Sequence, residues 1–132
     1  MLSRHNPPGA SPPAGRYSLI SVAQAGATLV WLAGQTGRRA DGSIAEDAAT
    51  QTRDAFSNLI VLMESVGGSP SDVACLRTYL TPGAQEGFYQ ARDRVFSEWY
   101  PDHDYPVNTL AVVSGLADTR AAVEIEAVLA LY

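Results

Sequence analysis

Two stretches of this sequence read as helices and five as strands, and that ratio limits what the chain can become. Two helices can cover one face of a sheet of this size and leave the other bare. The first helix is expected over Glu46 to Val66, where Thr52, Ala55, Phe56, Leu59, Leu62, Met63 and Val66 recur at three- and four-residue steps. Glu46 and Asp47 suit its first turn, and Gly67-Gly68 ends it. The second is expected from Gln85 to Tyr100, with Phe88, Arg92, Val95, Phe96 and Trp99 near one face and Pro101 as its stop.

The strands fall around these helices. Tyr17 to Ala23 and Ala27 to Ala33 flank the turn Gln24-Ala25-Gly26 and read as a hairpin. The second of them is apolar and β-branched enough to be buried on both faces. Val73 to Thr81 alternates, with Ala74, Leu76, Thr78 and Leu80 on one side and Cys75, Arg77 and Tyr79 on the other. Val107 to Val113 and Val123 to Leu131 complete the order ββ-α-β-α-ββ. The face without helices carries apolar residues around Trp31, Tyr79, Val128 and Ala130, so it should be buried against other subunits. A closed cyclic oligomer is the economical solution.

The chain has 132 residues, enough for one domain at 17–132 behind a Pro/Gly-rich tail at 1–16. A net charge of −5 with scattered charges argues against a nucleic-acid partner. No apolar run reaches the ~20 residues that span a membrane. A single cysteine, Cys75, fits a reducing cytoplasm and reads as a small buried hydrophobe. All nine basic residues are arginine, so a lysine Schiff base, including pyridoxal phosphate attachment, is excluded and no cofactor is expected. Neither histidine has a partner at ligand spacing, and Asp102-His103-Asp104 reads as a polar turn, so no metal site is expected. Gln51 and Asn58 should satisfy buried backbone groups.

Leu32-Ala33-Gly34-Gln35, the helix segment Gln51 to Leu59 with its Asn58-Leu59, the passage Gly67-Gly68-Ser69 to Asp72-Val73, Tyr79-Leu80-Thr81, and Val123-Glu124-Ile125-Glu126-Ala127 occur in one order and spacing. Together they resemble the YjgF/RidA (reactive intermediate deaminase) family from Tyr17 to the C-terminus. The resemblance implies a chorismate-mutase-like α+β fold, a mixed sheet with two helices on one face. It also implies a homotrimer around a central barrel with small-molecule clefts between subunits. The activity it implies is hydrolysis of enamines or imines to 2-keto acids and ammonia.

Carried over position by position, the resemblance makes Tyr17 a cleft tyrosine, Gly34 the glycine of the cleft strand and Glu124 the residue that handles water or a proton. Ala33 stands where the family has serine. In Pro106-Val107-Asn108-Thr109, Asn108 stands where the family has the arginine that grips a substrate carboxylate. Losing that charge-assisted pair costs about 2–5 kcal/mol of carboxylate binding. The expectation is therefore not a standard 2-imino-acid deaminase, but a cleft suited to a neutral carbonyl, amide or hydroxyl. Arg77 and Arg120 are candidate replacements, the other reading of Arg77 being an interfacial ion pair with Glu126 or an aspartate. Two classes of function follow. One is an acid–base enzyme on an imine, enamine or related carbonyl, with Glu124 and Tyr17 catalytic and Asn108, Ala33, Gly34, Arg77 and Thr109 holding the ligand. The other is a trimeric binding module without turnover.

Overall fold

A computed structural model describes residues 1–132. Its strands are β1 (Leu2–His5), β2 (Ile20–Ala23), β3 (Thr28–Gln35), β4 (Val73–Leu80), β5 (Val107–Val112) and β6 (Val123–Leu131). The helices are α1 (Ala48–Ser65) and α2 (Gln85–Trp99), with a short 3-10 turn at Pro70–Asp72. The main sheet runs β3-β6-β4-β5. β6 is antiparallel to both its neighbours, while β4 and β5 are parallel, so the sheet is mixed.

Both helices lie on one face, as the two apolar stripes require. α1 buries Gln51, Thr52, Ala55, Phe56, Leu59 and Met63. α2 buries Phe88, Ala91, Arg92 and Phe96. Beneath them β6 contributes Val123, Ile125, Ala127 and Leu129, and β4 contributes Val73, Leu76 and Leu80. Phe56 meets Phe96 and Trp99 edge to face, with centroids 5.9 and 5.2 Å apart. Asp47 lies just before α1 as its N-cap, accepting from the Thr50 backbone N–H at 2.9 Å. Gly67 takes φ +76°, and the Gly68 N–H closes on the Met63 carbonyl at 2.8 Å, a glycine C-terminal lock.

Gln51 and Asn58 do what the sequence suggested. The Gln51 amide donates to the Ala45 and Arg120 carbonyls and accepts from the Ala122 N–H at 2.7 Å. Asn58 donates to the Thr36 and Arg38 carbonyls. These side chains tie the β3–α1 loop and the start of β6 to α1.

Two expectations fail. β2 does not form a hairpin with β3: it pairs antiparallel with β1 in a separate two-stranded sheet, and β3 pairs only with β6. The turn at Gln24 to Ala27 reverses the chain, but β2 finds its ladder in Leu2–His5, within the residues read as tail. Nor is β3 buried on both faces. Its helix-side Leu32 is buried, while Leu29 and Trp31 on the other face are 45% and 69% exposed. An apolar strand at the edge of a half-covered sheet has no second layer within its own chain.

Arg4 pins the N-terminal strand to the domain. Its side chain is nearly buried, pairs with Asp104 at 3.1 Å and donates to the Ser71 and Val73 carbonyls. No helix is long and apolar enough to cross a membrane.

Candidate functional site

The segment after the N-terminal residues is stitched to the sheet edge. Ser18 bridges Val107 in parallel, and its N–H donates to the Pro106 carbonyl at 3.1 Å. That stitch sets Tyr17 beside Asn108 at a cavity of about 500 Å³. Tyr17, Asn108, Leu110, Tyr89 and Arg92 line it, and Ala14 and Gly15 complete the lining. The volume is in the usual range for small-molecule sites.

Each polar group there has a defined disposition. Tyr17 Oη accepts from the Ala14 N–H at 3.1 Å, which keeps the phenolic proton for donation. Asn108 is on the helix side of β5, opposite Leu76 in register. Its Oδ1 accepts from Thr78 Oγ1 at 3.1 Å, leaving the amide NH₂ uncommitted. Arg92 comes from α2. Its Nε donates to Asp93 Oδ1 at 3.0 Å, and the guanidinium carbon is 5.0 Å from the Tyr89 ring centroid.

A second group of expected residues lies elsewhere in the chain. Glu124 is on the open face of β6, opposite Tyr79. Its carboxylate lies against Gly34 so closely that a β-carbon at that glycine would meet Oε2 at 2.5 Å. Gly34 itself lines a different hollow, with Gln35, Thr36, Arg38 and Asn58. Ala33 is exposed, and its carbonyl accepts from Gln35 Nε2.

Arg77 and Thr109 form a third group. They are register partners on the open face, one residue out of phase with Asn108, so neither lines its cavity. Arg77 is exposed and makes no ion pair in the chain; its neighbour Glu126 instead accepts from Tyr79 Oη at 2.7 Å. That bond pushes the Tyr79 phenol above its ordinary value. Burial pushes the Cys75 thiol up, with the Arg77 charge opposing. Arg120 is spoken for by Asp118, which it holds down to about 2 by hydrogen bonds and charge.

The sequence matches the Endoribonuclease L-PSP family over residues 8–131. The chain belongs to this family, that of the YjgF and Rid proteins. A Yersinia pestis Rid protein of unknown function, YyfB, shares 26% identity and superposes with a TM-score of 0.86 over 98% of both chains. A Mycobacterium tuberculosis member of the YjgF/YER057c/UK114 family shares 28% identity, with a TM-score of 0.60 over 76% of this chain and 77% of that one. The fold is also that of Escherichia coli TdcF, solved with bound serine, at 21% identity and a TM-score of 0.73 over 98% of both chains.

Within this Rid fold the expected site residues do not converge in one chain. Tyr17 and Asn108 share a cavity on the helix side of the β5 edge, while Glu124 and Gly34 meet on the far side of the sheet's other half. Arg92 is the charged residue of the cavity, and it was not proposed from sequence as a ligand contact. Its signal was there: a charged residue in the middle of an otherwise apolar helical stripe.

Proposed function

We propose that this Rid protein acts on a small imine, enamine or related carbonyl compound, in a cleft completed by a neighbouring copy in a homotrimer. The observation that carries the reading is the Tyr17–Asn108 cavity, a small-molecule volume walled by a tyrosine that keeps its proton and an amide with a free NH₂. Glu124 held against Gly34 supplies an acid–base group of the kind the reaction needs. The two halves sit apart in one chain, and the exposed apolar side of β3 offers a surface for the neighbour that would bring them together.

The chemistry is addition of water to C=N. Glu124 accepts a proton from water as its oxygen bonds to the imine carbon, and that proton passes to nitrogen. The carbinolamine then loses ammonia, leaving the carbonyl, so one imine and one water give one carbonyl and one ammonia. Tyr17 and Asn108 donate to the ligand's oxygen and fix its orientation. A phosphodiester substrate, which the family's nuclease name would suggest, has less support, since the chain carries a net charge of −5.

The test generates an imine in place with an amino-acid-oxidising enzyme, traps it with semicarbazide, and measures how far the purified protein suppresses the trapped product. Native protein should suppress trapping and Glu124→Gln should lose on the order of 100-fold or more of that rate. A native protein inert across amino-acid-derived imines would leave a binding module as the reading.

A further inference from the structure

We infer that Arg92 is the anion-binding residue of the Tyr17–Asn108 cavity, so that the ligand taken there carries a carboxylate. The inference rests on reading that cavity as the ligand site, and it names the residue that sets the charge of the compound held there. It reverses the expectation that Asn108 turns the cleft toward neutral ligands.

A guanidinium in the middle of an apolar helical face is costly unless it is compensated. The Arg92 side chain is only 8% exposed. Its compensation within the chain is partial. Nε donates to Asp93 Oδ1, a carboxylate shared with Arg16 at 3.3 Å. The guanidinium carbon lies 5.6, 5.0 and 5.5 Å from the ring centroids of Phe88, Tyr89 and Phe96, within cation–π range and held in place by three aromatics. Neither terminal amino group finds an acceptor in the protein. Up to four N–H donors of a positioned cation therefore remain unused at the wall of a cavity of about 500 Å³.

The other arginines do not compete for this role. Arg120 is bonded to Asp118 and the Gly42 carbonyl, and Arg77 is on the opposite face of the sheet. Arg4, also nearly buried, gives its terminal amino groups to Asp104 and two carbonyls. Only Arg92 combines burial, a rigid mount and free donors beside Tyr17 and Asn108. A planar fork with spare parallel N–H groups matches a carboxylate, and the neutral Asn108 amide in the same lining can donate to a second oxygen.

The experiment is a calorimetric titration of the full chain with pyruvate, a minimal 2-keto acid, and with pyruvamide, its uncharged counterpart. The native protein should bind pyruvate roughly 30-fold or more tightly than pyruvamide. Arg92→Gln should erase that preference, and Arg92→Lys should keep part of it. Arg94→Gln, on the same helix but lining the groove against α1, should leave it intact. The double variant Arg92→Gln with Asn108→Arg should recover pyruvate binding, because the charge returns from another residue of the same cavity lining. The inference falls if the native protein does not prefer the acid, or binds neither probe. It also falls if Arg92→Gln keeps pyruvate affinity, or if the double variant recovers nothing. The hydrolase reading stands or falls separately. Loss of trapping suppression in Glu124→Gln with KM for the imino acid unchanged in Arg92→Gln sinks this inference alone. Arg92-dependent pyruvate binding without turnover sinks the hydrolase alone.

Discussion

Gly34 and Gly37 have no room for a β-carbon, and the two substitutions to alanine should fail in different ways. At Gly34 the added methyl would meet the end of the Glu124 side chain, Oε2 at 2.5 Å and Cδ at 2.9 Å. A flexible carboxylate escapes by rotating, so Gly34→Ala should cost less than about 1 kcal/mol of stability. It should still lower imine-trapping suppression by about tenfold or more, because Glu124 no longer sits where it did. At Gly37 the methyl would meet the Gln51 Cα and carbonyl oxygen, both at 2.7 Å, and backbone within a helix cannot step aside. Gly37→Ala should cost about 1–3 kcal/mol. Thermal melts beside the trapping assay separate the two, and equal destabilisation would show that Glu124 is not free to rotate away. Family motifs in the sequence singled out Gly34 and Glu124, and the structure sets one against the other. The sequence did not reveal that Arg92 shares a cavity with Asn108, because helix periodicity shows that two side chains share a face but not what stands across from that face.

α1 shows the same division between what a pattern determines and what it leaves open. Its apolar period placed the helix to within two residues at its N-terminal end, and the structure adds that Asp47 caps it rather than sitting in its first turn. The Asp47 carboxylate accepts from the Thr50 N–H and hydroxyl, and these bonds hold it below the ordinary aspartate value of 3.8. A depressed folded-state pKa means that the cap's stabilisation is complete above the unfolded value and is lost as pH falls through the folded one. Asp47→Ala should therefore lower Tm by about 2–5 °C at neutral pH. The gap to the native protein should begin to close near pH 3.8 and continue closing below it. Asp47→Asn, which caps without titrating, should show neither effect, and a gap that persists undiminished in acid would refute the assignment. β1 and β2 were less legible. Alternation tells which way a side chain points but not which strand is the partner. Leu2–His5, a four-residue strand ahead of a proline-rich stretch, gave no sign that it would take β2 away from β3.

The half-covered sheet was anticipated from the count of helices, and its exposed side is an apolar surface that the proposed assembly would bury. Trp31 and Leu29 lie exposed on β3, and Val128 and Ala130 stand opposite them on β6. Glu126, Arg77 and Tyr79 extend the same face across β6 and β4. Burying a side chain of the size of Leu29 or Trp31 contributes roughly 1.5–3 kcal/mol, and a cyclic trimer would repeat that gain at each interface. Assembly also bears on the chemistry, because Tyr17, Asn108 and Arg92 lie on one side of the chain while Glu124 and Gly34 lie on another. Trp31→Glu puts a charge into the proposed interface without touching either group. In sedimentation velocity the native protein should run as a trimer and Trp31→Glu should shift toward monomer, with trapping suppression falling in step with the trimer fraction. Arg92-dependent pyruvate binding should survive in the monomer if one chain supplies that whole pocket. A native protein that sediments as a monomer at micromolar concentration would overturn the shared-cleft arrangement. A monomeric Trp31→Glu variant with full activity would show instead that one chain brings Glu124 to its own cavity.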